Sequence, residues 1–242
     1  MPELARHSID LALVDLPYGA THQNWDKILP PFPMWKAFEH CCKPTANIVL
    51  FATNPFAAML IASQPDWFRY DFAWEKNKPT GHLNCKVMPM RKHELVLVFR
   101  QQGNGIYQPQ MTRGHDPVHT FTKHSIASPG TYGAQKNGNS GGGATTRYPT
   151  SVLRFDMVPS GSKHRCHPNE KPVAMLENLI RTYSRSGDVV LDCTMGSDST
   201  GVASILNGRH FVGIEMDERY SAIAAMRIGE ALKGTWRKLR VW

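Results

Sequence analysis

Ile9-Asp10-Leu11-Ala12-Leu13-Val14, followed at once by Asp15-Leu16-Pro17-Tyr18, is the stretch from which the fold can be read. Five strand-forming apolar positions lead into an acid, a rigid turn and an aromatic ring. A strand buried in a parallel sheet presents a loop in this way at its carboxyl end. Asp15 is one acceptor. Leu16 and Pro17 fix the backbone so that a main-chain carbonyl supplies a second, and Tyr18 offers a flat face to a planar ring. Two acceptors beside a stacking face suit an exocyclic amino group on a nucleobase. The plainer alternative is a strand-to-loop turn whose Asp caps something local, and four residues alone do not separate the two.

A second informative stretch, Asp188-Val-Val-Leu-Asp192-Cys-Thr-Met-Gly196-Ser-Asp-Ser-Thr200-Gly201-Val-Ala, reads as strand, small-residue turn, then helix. Glycine in the turn lets a ligand approach the backbone, and the helix start supplies unpaired N–H groups. A nucleoside triphosphate is disfavoured, because the Gly-Lys-Ser/Thr of a phosphate loop is absent. Arg209-His-Phe-Val-Gly213-Ile-Glu215-Met-Asp217 then reads as a short strand ending in acids. A carboxylate about 20 residues past a glycine turn commonly accepts from both ribose hydroxyls, which makes Glu215 the candidate ribose ligand. Asp217 reads better as the cap of a helix beginning near Arg219-Tyr220. Upstream, His167-Pro-Asn-Glu-Lys171-Pro172 leads into a helix from Val173 to Tyr183, with Pro172 where a first-turn proline is tolerated.

Asp15-Leu16-Pro17-Tyr18 resembles the Asp-Pro-Pro-Tyr motif of the amino-group DNA methyltransferases, with Leu16 in place of the first proline. Gly19 and Trp25-Asp26 extend the likeness toward the phage and prophage adenine-N6 branch. The second stretch resembles the S-adenosylmethionine loop of the same family, usually Asp-Pro-Phe-Met-Gly-Ser-Gly-Thr-Thr. Gly196 and Ser197 match; Cys193 and Thr194 replace Pro and Phe, and Asp198 replaces the second glycine. Either the Asp198 carboxylate crowds the cofactor or it caps the helix.

The resemblance implies Asp15, Leu16, Pro17 and Tyr18 as catalytic residues. It implies Asp192, Thr194, Gly196, Ser197, Ser199, Thr200, Glu215 and Lys171 around S-adenosylmethionine, with Lys171 near the methionine end. The fold it implies is α/β: a Rossmann-like mixed sheet with helices on both faces. Catalytic motif before cofactor motif is the permuted order of the β class. Family members usually place a strand and a Gly-Asp turn before the catalytic strand, and Met1–His7 resembles the helix that follows that turn. The adenine of the cofactor is then held by other groups, or its site is incomplete.

The catalytic half, 1–100, is expected to hold strand 11–16, helix 32–42, strand 47–51, a helix from Pro55, and strands 70–74 and 94–99. The final strand pair resembles the antiparallel hairpin of S-adenosylmethionine methyltransferases. The cofactor half is 166–242. Between them, 101–165 is interrupted by glycines and mixes Arg113, Lys123, Lys136 and Arg147 with Tyr107, Phe121, Tyr132 and Tyr148. Basic groups can meet phosphates while aromatics stack beside an extruded base. Arg113, Lys123, Lys136, Arg147 and Tyr132 are therefore the candidate DNA contacts of an inserted recognition region, and the run 137–146 is expected to be disordered without DNA. A surface excursion with no readout is the alternative.

Composition narrows the field. A net charge of +8 over 242 residues favours a polyanionic partner. The absence of an 18-residue apolar span or a leader pattern points to a cytoplasmic protein with no membrane partner. Five cysteines form no disulfide framework, and His164, Cys166 and His167 crowd together without a second ligand pair, so no metal is expected. A homodimer is left open. The reading is methyl transfer from S-adenosylmethionine to adenine N6 in DNA. Cytosine N4, or a degenerate fold that binds DNA or a partner without turnover, are the alternatives.

Overall fold

β1 (Ile9–Val14) lies inside a sheet rather than at its edge, which is why it is apolar at successive positions instead of alternate ones: Leu11, Ala12, Leu13 and Val14 are all fully buried. The computed structural model describes residues 1, 3–19, 26–122, 140–159, 166 and 170–235. After β1 come α1 (Pro31–Cys41), β2 (Cys42–Ala52), α2 (Phe56–Ser63), β3 (Phe68–Thr80), β4 (Arg91–Phe99), β5 (Phe121–Thr122) and β6 (Ser140–Gly141). β7 (Val152–Arg154), α3 (Val173–Tyr183), β8 (Val189–Asp192), α4 (Ser199–Leu206), β9 (His210–Gly213) and α5 (Glu218–Leu232) complete the described chain.

Seven of these strands form one mixed sheet in the order β7-β3-β4-β2-β1-β8-β9. β1 is parallel to both β2 and β8, whereas β4 is antiparallel to β2 and β3. The chain steps away from β1 through β2 on one side and from β8 through β9 on the other. Order reverses between β1 and β8, and their carboxyl ends face the crevice where open α/β sheets bind ligands. Asp15 follows the first of these strands and Asp192 ends the second.

Helices cover both faces, as expected. On one, Trp35, Phe38, Phe56 and Leu60 of α1 and α2 pack with Ile9, Ala12 and Val14. On the other, Leu11 and Leu13 pack with Met175, Leu176, Leu179, Ile180 and Tyr183, a spacing that places one stripe of α3 against the sheet. β2 and β3 run longer than the alternation suggests, and Met1–His7 differs from expectation: the described residues there form turns, not a helix. His7 donates its backbone N–H to His40 O and its ring meets Cys42 O, while the His40 ring meets Leu4 O. Bonds to the end of α1 thus replace intrahelical ones. No helix among the described residues is long and apolar enough to cross a membrane.

A second unit spans Pro109–Thr150. It holds the β5–β6 ladder and a bridge between Thr112 and Arg147, with further backbone bonds from Val118 to Ala144 and from His115 to Thr145. Of the run 137–146, expected to lack order, 137–139 lie outside the described residues, and Ser140–Thr145 carries these bonds. Gly142 makes this approach feasible, since a Cβ there would collide with the Thr120 backbone.

Candidate active site

Asp15 is held from three directions. Its Oδ1 accepts from the Tyr18 hydroxyl at 2.6 Å, its Oδ2 from Lys171 Nζ at 2.7 Å, and its main-chain oxygen from Thr194 Oγ1 at 3.0 Å. The loop is closed below by Gly19 N donating to Asp26 Oδ1 at 2.8 Å. Leu16 is buried in the core and Pro17 fixes the chain after it. The Tyr18 ring packs on Phe56 at 5.5 Å between centroids. Burial, with Asp15 and Glu94 nearby, pushes the Tyr18 phenol well above its ordinary range, so it remains a hydrogen-bond donor.

Lys171 opens a chain of alternating charge. It lies 2.7 Å from Asp15 and 3.4 Å from Glu94 Oε2, and Glu94 Oε1 is 2.5 Å from Lys76 Nζ. Burial acts to lower the Lys171 ammonium, but Asp15 and Glu94 outweigh it and the net shift is upward. Burial likewise acts to raise Glu94, and the two lysines outweigh it and hold the carboxyl below its usual range. Lys171 and Glu94 thus both stay charged, each balanced by a neighbour. Lys171 also sits 5.2 Å from the Phe51 ring centre and 5.8 Å from that of Tyr18. Expected near the methionine end of the cofactor, Lys171 makes its contacts in this structure with Asp15, Glu94 and the Tyr18 and Phe51 rings.

The turn after β8 is built by buried acceptors. Asp192 Oδ1 takes the Thr194 N–H at 3.1 Å and Oδ2 takes the Thr200 hydroxyl at 2.7 Å; burial raises this carboxyl to about 7. Glu215 Oε2 accepts from Gly196 N at 2.8 Å, while Oε1 accepts from Met216 N and Asp217 N. Arg227, buried in α5, donates to Ser197 O and Oγ and to the Ser199 hydroxyl, and pairs with Glu170 at 2.5 Å. Ser197, Ser199 and Thr200, expected to face a cofactor, are thus buried in the support of the turn. The turn itself faces open space: Gly196 sits at φ +53, and a Cβ there would meet nothing within 4 Å.

Asp198 caps α4. It takes the left-handed conformation at φ 64, which Asp tolerates, and accepts the Gly201 N–H at 2.7 Å. A Cβ at Gly201 would strike that carboxylate, so this glycine makes room for the cap. Burial raises Asp198 to about 7. Asp217 caps α5 by accepting from Arg219 N and Tyr220 N.

Of the candidate DNA contacts, Lys123, Tyr132 and Lys136 lie outside the described residues, as do Trp25, His164 and His167. Arg113 is exposed on the second unit. Arg147 donates to the carbonyls of Ala144, Thr146 and Asp116 and so holds its own unit together. Among the described residues no cluster of three His, Cys, Asp or Glu could hold a metal ion.

The N6/N4 methyltransferase profile, described as DNA methylase, matches residues 9–226. The chain belongs to the DNA methylase family. It is 25% identical over 239 residues to the type II methyltransferase M1.MboII of Moraxella bovis, covering 91% of this chain and 89% of that one. It is 42% identical over 178 residues to the DNA adenine methyltransferase YhdJ of Escherichia coli K12, covering 64% of this chain and 58% of YhdJ. The crystal structure of the M1.HpyAVI–SAM complex superposes with a TM-score of 0.60 at 21% identity over 93% of this chain and 90% of that chain.

S-adenosylmethionine is the methyl donor of a DNA methylase, and the turn fits it: an open backbone at Gly196, with Glu215 locked beside it, and a helix start behind. The partners that set this site, Glu94, Lys76, Glu170 and Arg227, were not singled out from the sequence. Strand period is a signal for one of them, since Phe72, Trp74 and Lys76 share a side of β3 and all three are buried.

Proposed function

We propose that this DNA methylase transfers a methyl group from S-adenosylmethionine to the N6 amino group of an adenine extruded from DNA. The observation that carries the reading is the 3.0 Å bond from Thr194 to the Asp15 main-chain oxygen, which ties the amine-accepting loop to the cofactor turn. S-adenosylmethionine supplies an electrophilic methyl group on a sulfonium sulfur. Each Asp15 oxygen already accepts one bond, from Tyr18 or Lys171, and keeps a second lone-pair direction for the target amine. Accepting an N6 hydrogen aims the nitrogen lone pair, and the same carboxylate can take the proton that the methylated amine sheds. Lys171 fixes the carboxylate rotamer meanwhile. A base paired in a duplex cannot reach a loop seated in a crevice, so the nucleotide must be flipped out. The relatedness to YhdJ, a DNA adenine methyltransferase, supports adenine over cytosine. The test is to digest DNA methylated by the purified protein and identify the modified nucleoside by mass spectrometry. N6-methyladenine is expected, and N4-methylcytosine would overturn the choice of base.

A further inference from the structure

β3 and β4 run on past the rest of the sheet. β4 pairs with β2 only from Leu95 to Phe99, and β3 pairs with β7 no further than Glu75, so the connection from Lys76 to His93 projects as a hairpin. Because β4 is antiparallel to β2 and β2 parallel to β1, the hairpin leaves the sheet at the end where β1 delivers Asp15. Lys76 and Glu94, at its base, belong to the charge chain that reaches Asp15.

Every residue from Asn77 to His93 is exposed. Leu83 is 96% exposed, Val87 81% and Met88 57%, apolar side chains left in water at the tip. Between Glu75 and Glu94 the chain has five Lys or Arg and no acid. Glu75 pairs with Lys92 and Arg154, which leaves Lys78, Lys86 and Arg91 as the hairpin's excess charge. Its occupant must then be anionic outside and able to accept apolar side chains inside. A second copy of this chain, with a net charge of +8, is a poor match. A duplex from which one nucleotide has been extruded is a good one, since its phosphates are anionic and the vacated stack exposes base faces.

We propose that the β3–β4 hairpin enters the DNA beside the extruded base, with Lys78, Lys86 and Arg91 on phosphates and Leu83, Val87 and Met88 against the opened stack. The inference rests on the methyltransferase reading above and gives the DNA interface an element outside the 101–165 region.

Two variants test it. Lys78→Gln/Lys86→Gln/Arg91→Gln should weaken binding to a labelled mixed-sequence duplex by about tenfold and lower the salt slope of log affinity by about 2 to 3, as each lost phosphate contact removes about 0.9. Leu83→Ser/Val87→Ser/Met88→Ser should slow methyl transfer to unmethylated duplex DNA by about tenfold or more while S-adenosylmethionine affinity by calorimetry stays within about twofold. An unchanged salt slope, or duplex methylation at the wild-type rate in the apolar variant, would overturn the proposal. So would a dimer that the variants dissociate in sedimentation, or tighter hairpin-dependent binding to anionic phosphatidylserine vesicles than to DNA. If the wild-type protein methylates no DNA, the functional reading fails, and the salt slopes still decide whether the hairpin contacts a duplex.

Discussion

Asp198→Asn separates a helix cap from an obstruction. Asn keeps the left-handed conformation and an oxygen for the Gly201 N–H, so the cap survives and the charge goes. The wild-type carboxyl is raised by burial to about 7, from an ordinary 3.8. With the folded value above the unfolded one, the folded state keeps a proton that the unfolded chain gives up. Asp198 therefore destabilises the fold progressively as pH rises from about 4 to about 7, and by a constant amount above that. Going from about pH 5.5 to about pH 8.5 crosses the upper part of this window, worth about 2 kcal/mol at 1.36 kcal/mol per unit. The Asn variant should gain about that much on wild type between the two pH values. Asp192, also near 7 and repelled by Asp198, adds in the same direction once that charge is gone. Urea unfolding of both proteins at the two pH values reads the gain, and calorimetry reads cofactor affinity, which should stay within a few fold. A stability difference that ignores pH would refute the buried-charge account. A tenfold gain in affinity would show that the carboxylate faces the cofactor after all.

Three other outcomes are expected. Asp15→Ala should slow methyl transfer by roughly 10²-fold or more and leave S-adenosylmethionine affinity within a few fold, read by labelled-methyl transfer and calorimetry; near-normal transfer would remove Asp15 from the chemistry. Tyr18→Phe loses only the hydroxyl bond to Asp15 and should retain more activity than Tyr18→Ala, which also loses a stacking surface worth about 1–3 kcal/mol; equal damage would assign the role to the hydroxyl. Lys171→Met leaves Asp15 and Glu94 without their shared cation and should cost about 3–5 kcal/mol in urea unfolding, part of it recovered by adding Glu94→Gln; strictly additive effects would show that the two do not interact.

Much of the fold was legible because burial on both faces leaves a plain mark. Leu11–Val14 and Val190–Leu191 are continuous apolar runs because each lies inside a sheet covered on both sides, and the helical stripe from Met175 to Tyr183 points to the same layers. Three-residue β7 carries no periodicity to detect and is held by pairing with β3 and by the burial of Leu153. Met1–His7 resembled a helix from its place in the family order, whereas bonds to His40 and Cys42 set its conformation, and those partners are more than thirty residues away.

The candidate site was legible where its residues sit in a contiguous motif and obscure where it depends on charge neutralised across strands. Asp15 and Gly196 announce themselves by their neighbours in sequence. Glu94 and Lys76 are eighteen residues apart on adjacent strands, and either alone reads as a surface charge. Only the pairing of Trp74 with Glu94 brings them side by side, and only the start of α3 adds Lys171 to complete the path to Asp15. The same logic explains Arg227: a helix face of Ala224, Arg227 and Ala231, all buried, requires a buried partner, and Glu170 supplies it from just before Lys171. Glu170 and Lys171 are successive residues that face two different centres, one joined through Arg227 and Ser199 to the turn after β8 and the other to Asp15. A shift of that short segment would therefore disturb both centres at once, alongside the direct bond from Thr194 to the Asp15 main-chain oxygen that already joins them.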